Sequence, residues 1–147
     1  GLLEDLPLQT SLIQAGGLAR AWAGHEEALG LLHIAMDQAV RPFTGTLPEV
    51  LGQGWVGEQA LAIAVYAASR SQSFRDVMAI AANHSGDSDS TASLAGQLFG
   101  AQYGLEALPH GWIRRLDILD AGLDLVDWGV PLWKRALRTE PDSGKPA

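Results

Sequence analysis

The stretch Trp55-Val56-Gly57-Glu58-Gln59-Ala60-Leu61-Ala62-Ile63-Ala64-Val65-Tyr66-Ala67-Ala68-Ser69-Arg70 decides the fold class. It contains no proline and is rich in alanine, the strongest helix former. Val56, Ala60, Ile63, Ala64 and Ala67 fall on one side of a helix, so the segment predicts a buried helix. The same spacing continues outward. From His25 to Val40, the residues Leu29, Leu32, Met36 and Val40 recur at offsets of three and four. Upstream, Leu8, Leu12 and Ile13 predict a helix that stops or is interrupted near Gly16-Gly17, with Ala19–Ala23 resuming it. Downstream, Ser73 is a natural N-cap for a helix from Phe74 to about Asn83. A small-residue helix then runs from Asp89 to Tyr103, with Gly104 in the position that ends it. Gly111 to Arg138 is helical again, with a break expected at Gly129-Val130-Pro131. Arg41–Gly54, by contrast, holds Pro42, Gly45, Pro48, Gly52 and Gly54 and is a loop. No segment alternates long enough to be a strand. The expected fold is all-α, a compact multi-helix bundle over residues 1–138, followed by a flexible tail at 139–147.

Composition narrows the function. The chain has 147 residues, 47% hydrophobic and 18% charged, enough apolar material for a core and too much for disorder. It has no cysteine, which removes disulfides, thiolate metal sites, iron–sulfur clusters and a cysteine nucleophile. The net charge of −7, with no cluster of Lys or Arg, argues against nucleic acid as a partner. No apolar run reaches the length of a membrane span, and the first residues form no basic leader, so the expected location is cytoplasmic and away from the membrane. The chain begins with Gly1 rather than Met, which suggests a start inside a longer gene product.

Two stretches can carry chemistry. In Asn83-His84-Ser85-Gly86-Asp87-Ser88-Asp89-Ser90-Thr91, the carboxylates of Asp87 and Asp89 are two residues apart, where the chain turns into a helix. That spacing can aim both at one point, with the Ser90 hydroxyl beside them. Such a set of oxygens suits a hard divalent cation. Gly86 permits a sharp turn, with positive φ open to it. The same residues also serve simply as a helix cap, because Asp and Ser are favoured there and acid complements the helix dipole. In Leu51-Gly52-Gln53-Gly54-Trp55-Val56-Gly57-Glu58, the glycines can bring backbone N–H groups close to an anion such as a diphosphate, and Trp55 can stack on a flat ring. The competing account is a glycine-rich loop whose Trp belongs to the core. Asp117, Asp120, Asp124 and Asp127, spaced three, four and three, are a solvated helical face. His25, His33, His84 and His110 form no zinc pattern.

Taken in order, Gly54–Ala64, then Asn83–Thr91, Ala95-Gly96, Gly100, Tyr103-Gly104 and Leu108-Pro109 with Trp112 resemble the C-terminal half of an ADP-ribosylglycohydrolase. That family includes the dinitrogenase-reductase-activating glycohydrolases and the ADP-ribosyl-acceptor hydrolases. The resemblance is strongest from Leu51 to Leu116. It implies an all-α fold with a binuclear Mg²⁺ or Mn²⁺ centre that hydrolyses ADP-ribose from modified proteins or small ADP-ribose derivatives. It assigns Asp87, Asp89 and Ser90 as metal ligands, His84, Ser85 and Gly86 to the ADP-ribose pocket, and Gly52, Gly54, Trp55 and Val56 to the diphosphate and adenosine portion. The family enzyme is longer. Its N-terminal half brings a second metal-ligand cluster, of the type [ST]-D-D, and the catalytic acid, which this chain lacks. The catalytic residues are therefore unassigned here. Weak metal affinity, little activity alone, and pairing with a missing half or with itself are the expectations. The alternative is a non-catalytic helical module that binds ADP-ribose-like ligands or a partner protein.

Overall fold

A computed structural model describes residues 6–139, with side chains through Leu132. Every regular element among them is helical. The chain divides into two units, one through Leu108 and one from Pro109.

The first unit is built around a central helix. Its helices are α1 (Leu8–Ala19), α2 (His25–Ala39), α3 (Gly57–Arg70), α4 (Phe74–Ala82) and α5 (Ser88–Tyr103), with short 3-10 turns at Glu49–Leu51 and Leu105–Ala107. Helix α3 is buried on every side from Ala62 to Ala68. A helix that is apolar all round can sit only in the middle of its neighbours. Its alanines leave room for them to approach. On one side, Ala62, Ile63, Val65 and Tyr66 pack with Ala35 of α2 and with Leu51. On the other, Ala64, Ala67 and Ala68 pack with Val77 and Ala81 of α4, Ala95 and Phe99 of α5, and Leu8 of α1. Phe99 meets Phe74 edge-on at 5.4 Å between ring centroids and Tyr103 at 4.6 Å. Val56, expected on the buried face, instead precedes the helix and is 49% exposed.

Arg70 closes α3 against the end of α2. Its guanidinium donates to the carbonyls of Ala39 at 2.9 Å and Arg41 at 2.6 Å, with a longer contact to Gln38. The Ala39 carbonyl is one of those that a helix C-terminus leaves without an intrahelical partner, Arg41 lies just past that end, and a cation there also meets the negative end of the dipole. The same guanidinium lies over the rings of Phe43 and Tyr66.

Two boundaries differ from expectation. Helix α1 runs straight through Gly16-Gly17 to Ala19, and Ala19–Ala23 does not resume it. A Cβ on Gly16 would meet the Leu29 side chain at 3.3 Å, so this glycine serves the close approach of α1 to α2 rather than a chain break. In the second unit, α6 (His110–Ile113) stops early, and α7 (Leu119–Thr139) passes through Pro131 without the expected break. A proline withdraws one amide from the helix, and the carbonyl it strands, that of Asp127, belongs to an exposed residue where water can replace the bond. The break falls at 114–118, a turn of exposed residues. Asp120, Asp124 and Asp127 are exposed along α7 as expected, while Asp117 lies ahead of that helix. The tail expected at 139–147 lies, beyond Thr139, outside the described residues.

Candidate functional site

The two chemistry-bearing stretches meet in space. The loop Gly52–Val56 leads into α3, and the turn Asn83–Asp87 leads into α5. The amide of Asp87 donates to the carbonyl of Gln53 at 2.9 Å, which joins loop to turn. Gly86 makes that approach possible. A Cβ at this position would lie 1.8 Å from the Gln53 carbonyl oxygen. Positive φ, the use first considered for Gly86, is found instead at Gly52 (77°) and Gly54 (82°). Gly54 is buried, and a Cβ there would press on Thr91 at 2.8 Å. Both loop glycines are thus required twice, once for their backbone angle and once for closeness.

A cleft of about 520 Å³ opens beside this junction, lined by Thr46, Leu47, Glu49, Gly52, Gln53, Asn83, His84 and Ser85. Its size falls within the range of small-molecule sites. Of the residues assigned to substrate binding, Gly52, His84 and Ser85 line it. Gly54 and Gly86 sit at the packed junction. Trp55 and Val56 do not line the cleft; Trp55 is 66% exposed, and its indole N–H donates to the Gln53 side-chain oxygen at 3.0 Å. Trp55 is therefore neither a core residue nor a wall of this cleft. Thr46, Leu47, Glu49, Gln53 and Asn83 line it as well and are not among the assigned residues. The first three belong to a loop whose sequence shows only punctuation, with no periodic signal to place its side chains.

His84 does structural work within the turn. Its Nδ1 accepts from the Gly86 amide at 3.1 Å, and its Nε2 faces the Thr91 hydroxyl at 2.9 Å and the Ala81 carbonyl at 3.0 Å. A ring that accepts at Nδ1 donates at Nε2. Thr91 is completely buried and passes its own proton to the Ala81 carbonyl at 2.7 Å. The end of α4, the turn and the start of α5 are held as one hydrogen-bonded piece.

The loop amides are also engaged. Those of Gln53 and Gly54 both donate to Oε1 of Gln59, each at 3.2 Å. The expected cradle of N–H groups exists, but a side-chain oxygen of α3 fills it.

At the head of α5, Asp87 is the N-cap, and its carboxylate and that of Asp89 both accept from the Ser90 amide, at 3.4 and 3.0 Å. Hydrogen bonding with Asp89, then with Ser90, holds the Asp87 carboxyl below its usual value of 3.8, with a smaller contribution from His84 and partial desolvation opposing. The two carboxylates therefore converge, as their spacing predicted, and they also cap the helix. The two uses are compatible. Both side chains and the Ser90 hydroxyl are oxygen donors, the chemistry a hard cation takes. In number they are too few for a cage, and among the described residues no three His, Cys, Asp or Glu side chains come together as a metal-holding group.

The sequence profile of the ADP-ribosylglycohydrolases matches residues 3–141. The chain belongs to the ADP-ribosylglycohydrolase family. Among ADP-ribosylglycohydrolases it is 31% identical over 96 residues to the ADP-ribosyl-[dinitrogen reductase] glycohydrolase of Rhodospirillum rubrum, a match covering 65% of this chain and 31% of that protein. It is 37% identical over 68 residues to the ADP-ribosylarginine hydrolase Tri1 of Pseudomonas putida, covering 46% of this chain and 18% of the relative. Tri1 of Serratia proteamaculans matches over the same length at 35% identity. The matched segments thus span between about a fifth and a third of these relatives. No solved structure gives a significant match. The all-helical architecture is the one the family resemblance implied. Among the described residues, no helix is long and apolar enough to cross a membrane.

Proposed function

We propose that this chain forms part of an ADP-ribosyl hydrolase site, in which the cleft beside the Gly52–Gly54 loop receives ADP-ribose. The bond from the Asp87 amide to the Gln53 carbonyl carries this proposal, because it joins the loop to the turn whose residues Asn83, His84 and Ser85 line the same cleft, with Asp87, Asp89 and Ser90 following directly behind that lining. Ser85 and Asn83 supply polar side chains on the turn side, and Glu49 supplies a carboxylate on the loop side. Asp87, Asp89 and Ser90 are the residues that would hold Mg²⁺ or Mn²⁺. When bound, such an ion supplies Lewis acidity toward ribose hydroxyls and water. The chain's own carboxylates then favour the positive charge that builds on the sugar as the glycosidic bond breaks. No residue of this chain is assigned as the general acid or base. Those groups, and further metal ligands, come from a segment outside this chain. The acceptor is an ADP-ribosylated protein, as the names of the relatives support, or a small ADP-ribose derivative.

Two measurements test this. Calorimetric titration of the chain with ADP-ribose should show binding that Ser85→Trp, placed in the cleft wall, abolishes. Release of ADP-ribose from an ADP-ribosylated protein should be weak for the chain alone. It should rise when the N-terminal part of the Rhodospirillum rubrum relative is supplied in trans, and Asp87→Ala should remove the gain. Absence of ADP-ribose binding refutes the proposal, and tight Mg²⁺ binding by the chain alone refutes the incomplete ligand set. Binding without any complemented turnover would favour the non-catalytic module instead.

A further inference from the structure

Gln59 occupies an unusual place for a helix residue. It is the third residue of α3, a position from which a Gln side chain commonly reaches back to the N-cap amide. Here the side chain reaches further. Its Oε1 accepts from the amides of Gln53 and Gly54, each at 3.2 Å. Its amide group also fills the space above Gly52, where a Cβ would lie 2.4 Å from Gln59 Cδ. On the opposite side, the Gln53 carbonyl accepts from Asp87 N at 2.9 Å and lies against Gly86. The loop is therefore clasped between one side chain of α3 and the turn that starts α5. Val56, the N-cap of α3, offers no side-chain hydrogen bond that could hold the loop in place of Gln59.

We propose that Gln59 is a positioning residue: by fixing the peptide groups of Gln53 and Gly54, it sets the Gln53 carbonyl that holds Asp87, and so links the rigid α3 core to both walls of the cleft. This rests on the proposal that the loop and the turn form one site. A Gln59 side chain held by two amides turns the loop into an extension of the core helix. The loop's geometry then depends on a residue that does not line the cleft.

The test compares Gln59→Leu with Gln59→Glu in the full chain. Leu keeps the bulk but removes the acceptor, whereas Glu keeps an oxygen that can accept from both amides. Amide hydrogen exchange is read without ligand, by NMR. In Gln59→Leu, exchange at Gln53 and Gly54 should quicken at least about tenfold, the loss of one hydrogen bond each. Exchange at Asp87 should quicken several-fold as well, while the interior of α3 at Ala64–Ala67 keeps its protection. Gln59→Glu should restore all three amides. The ADP-ribose dissociation constant should rise in Gln59→Leu and return in Gln59→Glu. If the Leu variant loses α3 protection, Gln59→Met replaces it as the acceptor-free form. Two results overturn the proposal. One is Asp87 exchange unchanged in the acceptor-free variant, which means that nothing is transmitted across the loop. The other is tighter ADP-ribose binding in that variant, which means that Gln59 competes for a phosphate seat. Where the wild-type chain binds no ADP-ribose, exchange alone decides the proposal. A wild-type chain that shows the exchange pattern but binds no ADP-ribose overturns the functional proposal instead.

Discussion

Gly86→Ala should pull the loop and the turn apart. The added Cβ would lie 1.8 Å from the Gln53 carbonyl oxygen, 2.6 Å from its carbonyl carbon and 2.7 Å from its Cβ. An ordinary carbon–oxygen contact is about 3.3 Å or more, so the two backbones must separate by about 1.5 Å. The neighbouring bond from Asp87 N to that same oxygen is 2.9 Å long. A shift of this size carries it beyond hydrogen-bonding range. The loss is then one backbone hydrogen bond, about 0.5–1.5 kcal/mol, plus overpacking strain of about 1–3 kcal/mol. The reduced backbone entropy of the unfolded alanine chain returns about 0.4–1 kcal/mol. The net destabilisation is about 2 kcal/mol at the centre of these ranges and about 0.5–4 kcal/mol at their extremes, and no side-chain rearrangement relieves it, because two of the three clashing atoms are backbone. Urea denaturation followed by far-UV circular dichroism measures it, with Gly100→Ala as the control. A Cβ at Gly100 meets nothing within 4 Å, and inside α5 the change should stabilise by up to about 1 kcal/mol. Gly86→Ala should also weaken ADP-ribose binding, whereas Gly100→Ala should not. A Gly86→Ala chain within about 0.5 kcal/mol of wild type, the scatter of neutral surface changes, would refute the close packing of the two motifs.

Three other perturbations probe separate parts of the molecule. Arg70→Met removes the guanidinium that lies over Phe43 and Tyr66 and donates to the carbonyls of Ala39 and Arg41, and should cost about 1.5–3 kcal/mol in denaturant unfolding. Thr91→Val, close in shape and fully buried, removes the hydroxyl that bonds the Ala81 carbonyl and His84 Nε2, which keep each other as partners at 3.0 Å, and should cost about 0.5–1.5 kcal/mol by the same measurement. Asp87 titrates below 3.8 in the folded chain, so its ionised form contributes stability that is complete above the ordinary carboxylate value and is lost as pH falls through the lowered one. The advantage of wild type over Asp87→Asn should therefore shrink as pH falls below the ordinary carboxylate value in acid-unfolding curves, and a difference that stays constant there counts against the carboxylate cluster.

Helix identity was legible because periodicity and propensity agreed. Ala60, Ile63, Ala64 and Ala67 recur at helical spacing and the residues between them are apolar too, which a central helix packed on both sides requires. Ser73 and Gly104 mark helix ends by local chemistry, and the structure uses both, with the Ser73 side chain accepting from Asp76 N and Gly104 at φ 75°. The errors lie where a local rule met a tertiary contact. Gly16-Gly17 looked like a helix end because glycine weakens helices, yet the close approach of Leu29 uses the first of them inside α1. Pro131 looked like a break, although its stranded carbonyl belongs to an exposed residue. In the site, spacing alone could place Asp87 and Asp89 together. It could not show that Trp55 lies away from the cleft, since an indole followed by apolar residues reads equally as core or as ligand wall.

The same contrast explains why the two motifs are more informative together than apart. An Asp ahead of a helix is a cap in most proteins, and the carboxylate of Asp87 does cap α5. What capping does not require is a neighbouring loop held so close that residue 86 must lack a side chain. Nor does it require a buried Thr91 hydroxyl that ties the turn to the preceding helix, or a Gln59 oxygen that holds the loop from behind. A helix cap alone would be satisfied by the Ser90 amide bonds. The additional constraints fix the position of Asp87 relative to the Gly52–Gly54 loop as well as the start of α5. A site that must present carboxylates to a ligand at a set distance has use for that precision, because small displacements of a catalytic or binding constellation are costly.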